Sequence, residues 1–246
     1  MHLLPPFLFL IFAALLLAGP SALASTAEDD TPSPRRLACA GDSNTNKGYP
    51  AMLQSMLGDG WTADAYAAGA ATVIDGTLRP YRRTDEYRSL LASSPNVVIV
   101  MLGTNDARPL YWDELGERDT GFEGNPSQEF RHGYLELIRE LRGLDSGPEV
   151  LVTTPPPIYP EKAAEKRRED LARRRDNLVG QVIPLIREVA AEAEGATLVD
   201  VHGHMSASGG SADLTHDGVH YNGAGYRKMC GVFEAALIAD IEFPDN

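Results

Sequence analysis

The stretch Val97-Val98-Ile99-Val100-Met101-Leu102-Gly103-Thr104-Asn105-Asp106 decides the fold class. From Val97 to Leu102 there is no polar alternation, so the segment predicts a strand covered on both faces, as in a parallel sheet. Gly103 to Asp106 then reads as the turn that leaves its carboxyl end. Outward from this strand, Arg36–Ala40, Thr62–Tyr66, Val150–Thr154 and Thr197–Val201 predict further strands. Helical patterns separate them, at Tyr49–Leu57, Asp85–Ala92, Gln128–Leu141, within Leu171–Ala193, and at Ala224–Ile238. Phe130, Tyr134, Leu137, Ile138 and Leu141 recur at helical spacing on one face. Pro184 predicts a kink or a fresh start within the long helical stretch. Strand and helix alternate throughout, which predicts one three-layer α/β/α domain around a doubly wound, mainly parallel five-stranded sheet. Ligands of such sheets bind beyond the carboxyl ends of the strands.

The chain has 246 residues, 43% of them hydrophobic, enough for one well-buried domain rather than two. Its 22 basic and 35 acidic residues leave a formal charge of −13. That balance excludes partners held by basic patches, namely nucleic acid and anionic membrane surfaces. Phe7 to Ala18 is an apolar run followed by Gly19-Pro20 and Ala22-Leu23-Ala24. It reads as a secretory signal over residues 1–24, although the segment before it offers only His2 and the amino terminus as positive groups. An uncleaved anchor is the rival. Residues 25–34 are polar and Pro-containing and predict a disordered linker, leaving residues 35–246 as the domain. Export to the secretory lumen or the medium follows, without stable membrane association once the signal is removed.

Cys39 and Cys230 are the only cysteines. In an oxidising compartment they could pair, and each could equally be a small core residue. Glu161 to Arg175 is a dense charge run, read as a solvated helix or loop face rather than a binding patch. Asn125-Pro126-Ser127 comes nearest to a glycosylation acceptor, and its proline excludes it.

Three short blocks carry the chemistry: Gly41-Asp42-Ser43-Asn44, Gly103-Thr104-Asn105-Asp106 and Asp217-Gly218-Val219-His220. A serine hydroxyl needs a neighbouring base to become a nucleophile. His220 is the candidate base, and Asp217 can hold its other ring nitrogen, which sets the tautomer. Asn105 can offer an amide to a developing oxyanion, with the Ser43 N–H beside it. A third donor is expected from Ala67-Ala68-Gly69-Ala70-Ala71, as the N–H of Ala67 or of Gly69. Taken singly, each block is an ordinary turn. Together, two of them directly after predicted strands, they predict nucleophilic hydrolysis of an ester.

In these blocks the chain resembles the SGNH (GDSL-type) hydrolase superfamily. The likeness extends to Tyr49-Pro50-Ala51-Met52-Leu53, Thr154-Pro155-Pro156-Pro157 and Asn222-Gly223-Ala224-Gly225-Tyr226, covering roughly residues 36–240. It is greatest to acetylesterase-like members that act on acylated sugars. The resemblance implies a flavodoxin-like fold, with Ser43 as nucleophile, His220 as base, Asp217 as its partner and Asn105 as oxyanion donor. It implies a small-molecule or glycan ester as substrate, and neither metal nor other cofactor. The chain departs from the pattern twice. Ala65-Tyr66-Ala67-Ala68-Gly69-Ala70 stands where the second block has Asn-x-Gly-x-x-Gly, and Asn44-Thr45-Asn46 follows the serine in place of the commoner Ile-Thr.

Two other classes compete. One is a secreted carbohydrate-binding protein that kept the fold and lost turnover. The other is a metal enzyme built on His202, His204, His216 and His220, whose spacing matches no zinc pattern. Tyr81, Tyr111, Trp112 and Tyr159 are placed near the cleft, either to stack on sugars or to pack in the core or rim. Oligomeric state is not legible.

Overall fold

The computed structural model describes residues 33–46, 48–112, 124–207 and 210–242. The expected leader, residues 1–24, lies outside them, as does the linker up to residue 32. In chain order the elements are β1 (Arg35–Gly41), α1 (Ser43–Asn46), α2 (Tyr49–Leu57), β2 (Trp61–Ala67), α3 (Asp85–Leu91), β3 (Val97–Met101), α4 (Pro109–Trp112) and α5 (Pro126–Arg142). They continue with β4 (Glu149–Thr153), α6 (Glu165–Asn177), α7 (Ile183–Glu192), β5 (Ala196–Val199), α8 (Val201–Ala207) and α9 (Gly223–Glu242).

The strands form one parallel sheet in the order β2-β1-β3-β4-β5. Side chains alternate across it. Ala38, Ala40, Val98 and Val100 meet the apolar faces of α3, α5 and α7, whereas Leu37, Cys39, Val97, Ile99 and Met101 meet those of α2, α8 and α9. Every residue of β3 is buried, as its unbroken apolar run demands. The predicted face of α5 is also buried. Its Asn125 caps the helix, accepting from the N–H groups of Ser127 and Gln128, with Pro126 in the first turn. The long helical stretch does divide: one π-type turn, Leu178–Val182, joins α6 to α7, and Pro184 follows in the first turn of α7. There the missing proline N–H disrupts least. Among the described residues no helix is long and apolar enough to cross a membrane.

Cys39 and Cys230 are both buried and free. The Cys230 thiol donates to the Tyr49 carbonyl at 3.4 Å, and burial pushes both thiols up to about 12. They are core residues on β1 and α9.

Strand order reverses between β1 and β3, which leaves a crevice at their carboxyl ends. Gly41 closes β1 there. A Cβ on it would fall 2.1 Å from Thr45 Oγ1 and 2.8 Å from the Met101 carbonyl oxygen, so only glycine lets α1 start against β3. Ser43 and Asn105 both emerge into this crevice.

Candidate active site

Ser43 is the first residue of α1 and sits directly after β1. Its Oγ lies 3.0 Å from His220 Nε2, and His220 Nδ1 lies 2.9 Å from Asp217 Oδ2. The loop that carries His220 is closed by a bridge between Thr215 and Tyr221 and by a bond from His216 N to the His220 carbonyl at 2.8 Å. Gly218 takes φ 87°, and its carbonyl accepts from Tyr159 N at 2.9 Å. Asp217 Oδ1 accepts from the N–H groups of His220 and Val219 at 2.9 and 3.1 Å. Partial burial opposes the charge of Asp217, but these bonds and the imidazole outweigh it and hold the carboxyl down to about 2. The carboxylate is therefore ionised across the whole working range, as an orienting partner for an imidazole must be.

Asn44 ties the two distant blocks together. Its amide donates to the Val219 carbonyl at 3.1 Å, and its oxygen accepts from Tyr221 N at 3.4 Å. It thus clasps the chain on either side of His220. The residue that departs from the common motif is buried and positions the loop opposite Ser43.

Asn105 is buried at the turn after β3, with Nδ2 3.1 Å from Asp42 Oδ2 and 3.0 Å from the Ala71 carbonyl. Its oxygen accepts from Arg174 Nη2 at 2.9 Å. A carboxylate on one side and a guanidinium on the other settle which amide atom is which. Asp42 in turn accepts from Asn44 N at 2.9 Å. Burial pushes its carboxyl up, opposed by that bond and by Arg174.

Asp106 Oδ1 accepts from the N–H groups of Val73 and Ile74 at 2.8 and 2.9 Å, which ties this turn to the loop after β2, whereas Oδ2 is buried without a hydrogen bond. Burial outweighs the two bonds and pushes the Asp106 carboxyl up to about 7. An unfolded carboxyl ionises near ~3.9, so the folded chain holds this proton more tightly and loses stability as pH rises from about 4 through about 7. Asp106→Asn is expected to flatten that fall. Thermal midpoints of both proteins between about pH 5 and about pH 8 check it, and equal slopes would contradict it.

The cleft encloses about 190 Å³ and is lined by Ser43, His220, Asn105, Val219 and Ala70, together with Arg108, Arg167 and Arg174. Of the loop expected to supply a third donor, Ala67 to Ala71, Ala70 is the residue that lines the cleft. Ala67 is buried at the end of β2, and Gly69 does not line the cleft. Ala70, at φ 62°, does line it, and its N–H makes no hydrogen bond to the described residues. A larger hollow of about 500 Å³ near Arg142 and Glu192 holds no nucleophile–base pair.

The sequence model of the GDSL-like lipase/acylhydrolase family matches residues 32–228. The chain belongs to that family. It is 28% identical over 228 residues to an acetylxylan esterase of Xylanibacter ruminicola, covering 82% of this chain and 43% of the relative. The chain thus spans less than half the length of that protein. A carbohydrate acetylesterase from Sinorhizobium meliloti superposes with TM-score 0.60 at 20% identity, covering 85% of this chain and all of that one. An acetylxylan esterase from Geobacillus stearothermophilus, solved as a catalytic mutant, also gives TM-score 0.60, at 18% identity, covering 82% and 94%. At these identities the structural likeness concerns the fold, a single parallel α/β domain.

Within this GDSL-family chain, several residues took places that their sequence context does not announce. Arg167 and Arg174 belong to the charge run read as a solvated face; most of that face is exposed, yet both reach the cleft, and Arg174 is only 6% exposed. Tyr81 and Tyr111 are core residues and not rim aromatics, with Tyr81 donating to the Tyr66 carbonyl. Trp112 donates to the Asp106 carbonyl at 2.6 Å, and Tyr159 packs against the core beside α9. Among the described residues, the late histidines do not gather with other ligands into a metal-holding group. His202 and His204 turn Nδ1 to the carbonyls of Pro155 and Asp200.

Proposed function

We propose that the chain is an exported serine esterase that removes short acyl groups, such as acetyl, from a carbohydrate. The observation that carries this is the unbroken line from Ser43 Oγ through both ring nitrogens of His220 to Asp217, at 3.0 and 2.9 Å. Ser43 Oγ attacks the ester carbonyl while His220 Nε2 takes its proton. Asp217 keeps the tautomer that leaves Nε2 free to accept and stabilises the imidazolium. His220 then returns the proton to the departing alcohol, and water repeats the sequence on the acyl-enzyme. The N–H of Ala70, which makes no hydrogen bond to the described residues, and the N–H of Ser43 serve the oxyanion, and Asn105 joins by sharing an amide proton now bonded to Asp42 or Ala71.

The small cleft supports a short acyl group: about 190 Å³ is below the roughly 300–1,000 Å³ of pockets that enclose drug-sized ligands. The acetylxylan esterase relative supports a carbohydrate as the alcohol. Export rests on the apolar run Phe7 to Ala18 and the small residues that follow it. The test is a series of 4-nitrophenyl esters. kcat/KM is expected to fall about tenfold or more from acetate to octanoate, since the long chain has no cavity to enter. Equal rates would refute the short-acyl assignment. No Ser43-dependent turnover of any ester would instead favour the binding-protein reading, to which the altered second block lends some support.

Asn105→Ala should act on two readouts at once. Loss of its amide should lower kcat about 10²–10³-fold with KM within a few-fold. It also strands the buried Asp42 and Arg174, so the thermal midpoint should drop. A lowered midpoint with normal kcat would leave Asn105 a purely structural residue.

A further inference from the structure

Arg108, Arg167 and Arg174 face the same small cleft as Ser43, in a chain whose formal charge is −13. Several other arginines meet carboxylates, Arg82 with Glu140, Arg131 with Glu192 and Arg187 with Asp200, whereas Arg36 and Arg142 bond the carbonyls of Ser94 and Glu194. The three at the cleft make no ion pair with the described residues. Arg174 is the telling member, because a buried charge is costly unless paired. Two of its nitrogens are satisfied, Nε by the Thr104 carbonyl at 2.7 Å and Nη2 by Asn105 at 2.9 Å, but Nη1 makes no hydrogen bond to the described residues. Burial and the neighbouring charges of Arg108 and Arg167 push this guanidinium down to about 10, opposed by Asp42 and Asp170. Positioning Asn105 explains Arg174 alone. It does not explain Arg108 and Arg167, whose side chains make no hydrogen bond to the described residues.

We infer that these arginines form an anion subsite, and that the preferred substrate is an ester bearing a carboxylate close to the scissile bond. This rests on the esterase reading and narrows it. Guanidinium forks match a carboxylate geometrically, and at a partly buried site such a pair is far less screened than at the surface. The carboxylate can sit on the acyl chain or on the alcohol, as in an acylated uronic acid; both present the same group to the arginines.

Two matched pairs of esters separate these sources. On the acyl side, 4-nitrophenyl hemisuccinate is compared with its methyl ester; on the alcohol side, 4-acetoxybenzoate is compared with its methyl ester. The readout is the ratio of kcat/KM for the charged ester to that for the neutral one. In the wild type the ratio should exceed unity by about tenfold in at least one pair, and added salt should lower it. Arg108→Gln combined with Arg167→Gln, at half-exposed and exposed positions, should reduce it by about tenfold. Ser43-dependent hydrolysis of the neutral esters with a ratio that is the same in wild type and variant would overturn the subsite and leave the esterase reading standing. Should no ester turn over, calorimetric titration of succinate still reads the arginines. Binding weakened about tenfold in the double variant supports the subsite; equal or undetectable binding to both proteins overturns it.

Discussion

Ser43→Ala and His220→Ala are each expected to lower kcat by roughly 10⁴-fold or more, and the double variant should be little worse than either one. In the proposed mechanism, attack and proton removal are one event across the 3.0 Å contact between Ser43 Oγ and His220 Nε2. Without the hydroxyl no acyl-enzyme forms; without the imidazole the hydroxyl keeps its proton. Activity left over would come from the oxyanion donors and from binding alone. Both side chains are only partly buried, so neither substitution opens a core cavity, and thermal midpoints should stay close to wild type. Single-turnover assays on 4-nitrophenyl acetate read the effect. Multiplicative losses in the double variant would mean that the two residues act independently, contrary to a nucleophile–base pair.

Asp217→Asn should lower kcat by about 10⁴-fold with the fold intact. The asparagine oxygen can still accept from the N–H groups of Val219 and His220, so the loop keeps its shape. Its NH₂, however, would donate to His220 Nδ1 and place the imidazole proton on Nε2, where it faces Ser43 and blocks proton acceptance. The contribution of Asp217 to stability follows its lowered pKa. It is fully present above the unfolded carboxyl range near ~3.9 and is lost only as pH falls towards about 2. A difference in thermal midpoint between wild type and variant should therefore be unchanged from neutrality down to about pH 5. Wild-type turnover in Asp217→Asn would require another group to orient His220.

The sheet was legible because its signals are local. β3 announces itself by an unbroken apolar run, and α5 by a single buried face. The serine, the histidine and its carboxylate were legible for a related reason: each sits in a short block whose chemistry shows in three or four residues. What could not be read depends on distant contacts. Nothing in Glu165–Asn177 marks Arg174 as the residue that turns inward to the Thr104 carbonyl and Asn105, 70 and 69 positions away. Asn44 looked like a departure from a motif, and its use shows only against Val219 and Tyr221, across 175 and 177 positions. The choice between Ala67 and Gly69 could not be read, because glycine and strand-end geometry do not by themselves mark a donor. The chain instead places an alanine in the left-handed region at Ala70, which no local preference predicts.

Covalent trapping is the test of Ser43 as the nucleophile. The protein is treated with a small aryl phosphonate or sulfonyl fluoride, its intact mass is measured, and the adduct is mapped by peptide sequencing. One adduct is expected, on Ser43, formed with loss of activity and absent from both Ser43→Ala and His220→Ala. An active protein that takes no label on Ser43, or one whose inactivating label maps to another residue, would contradict it.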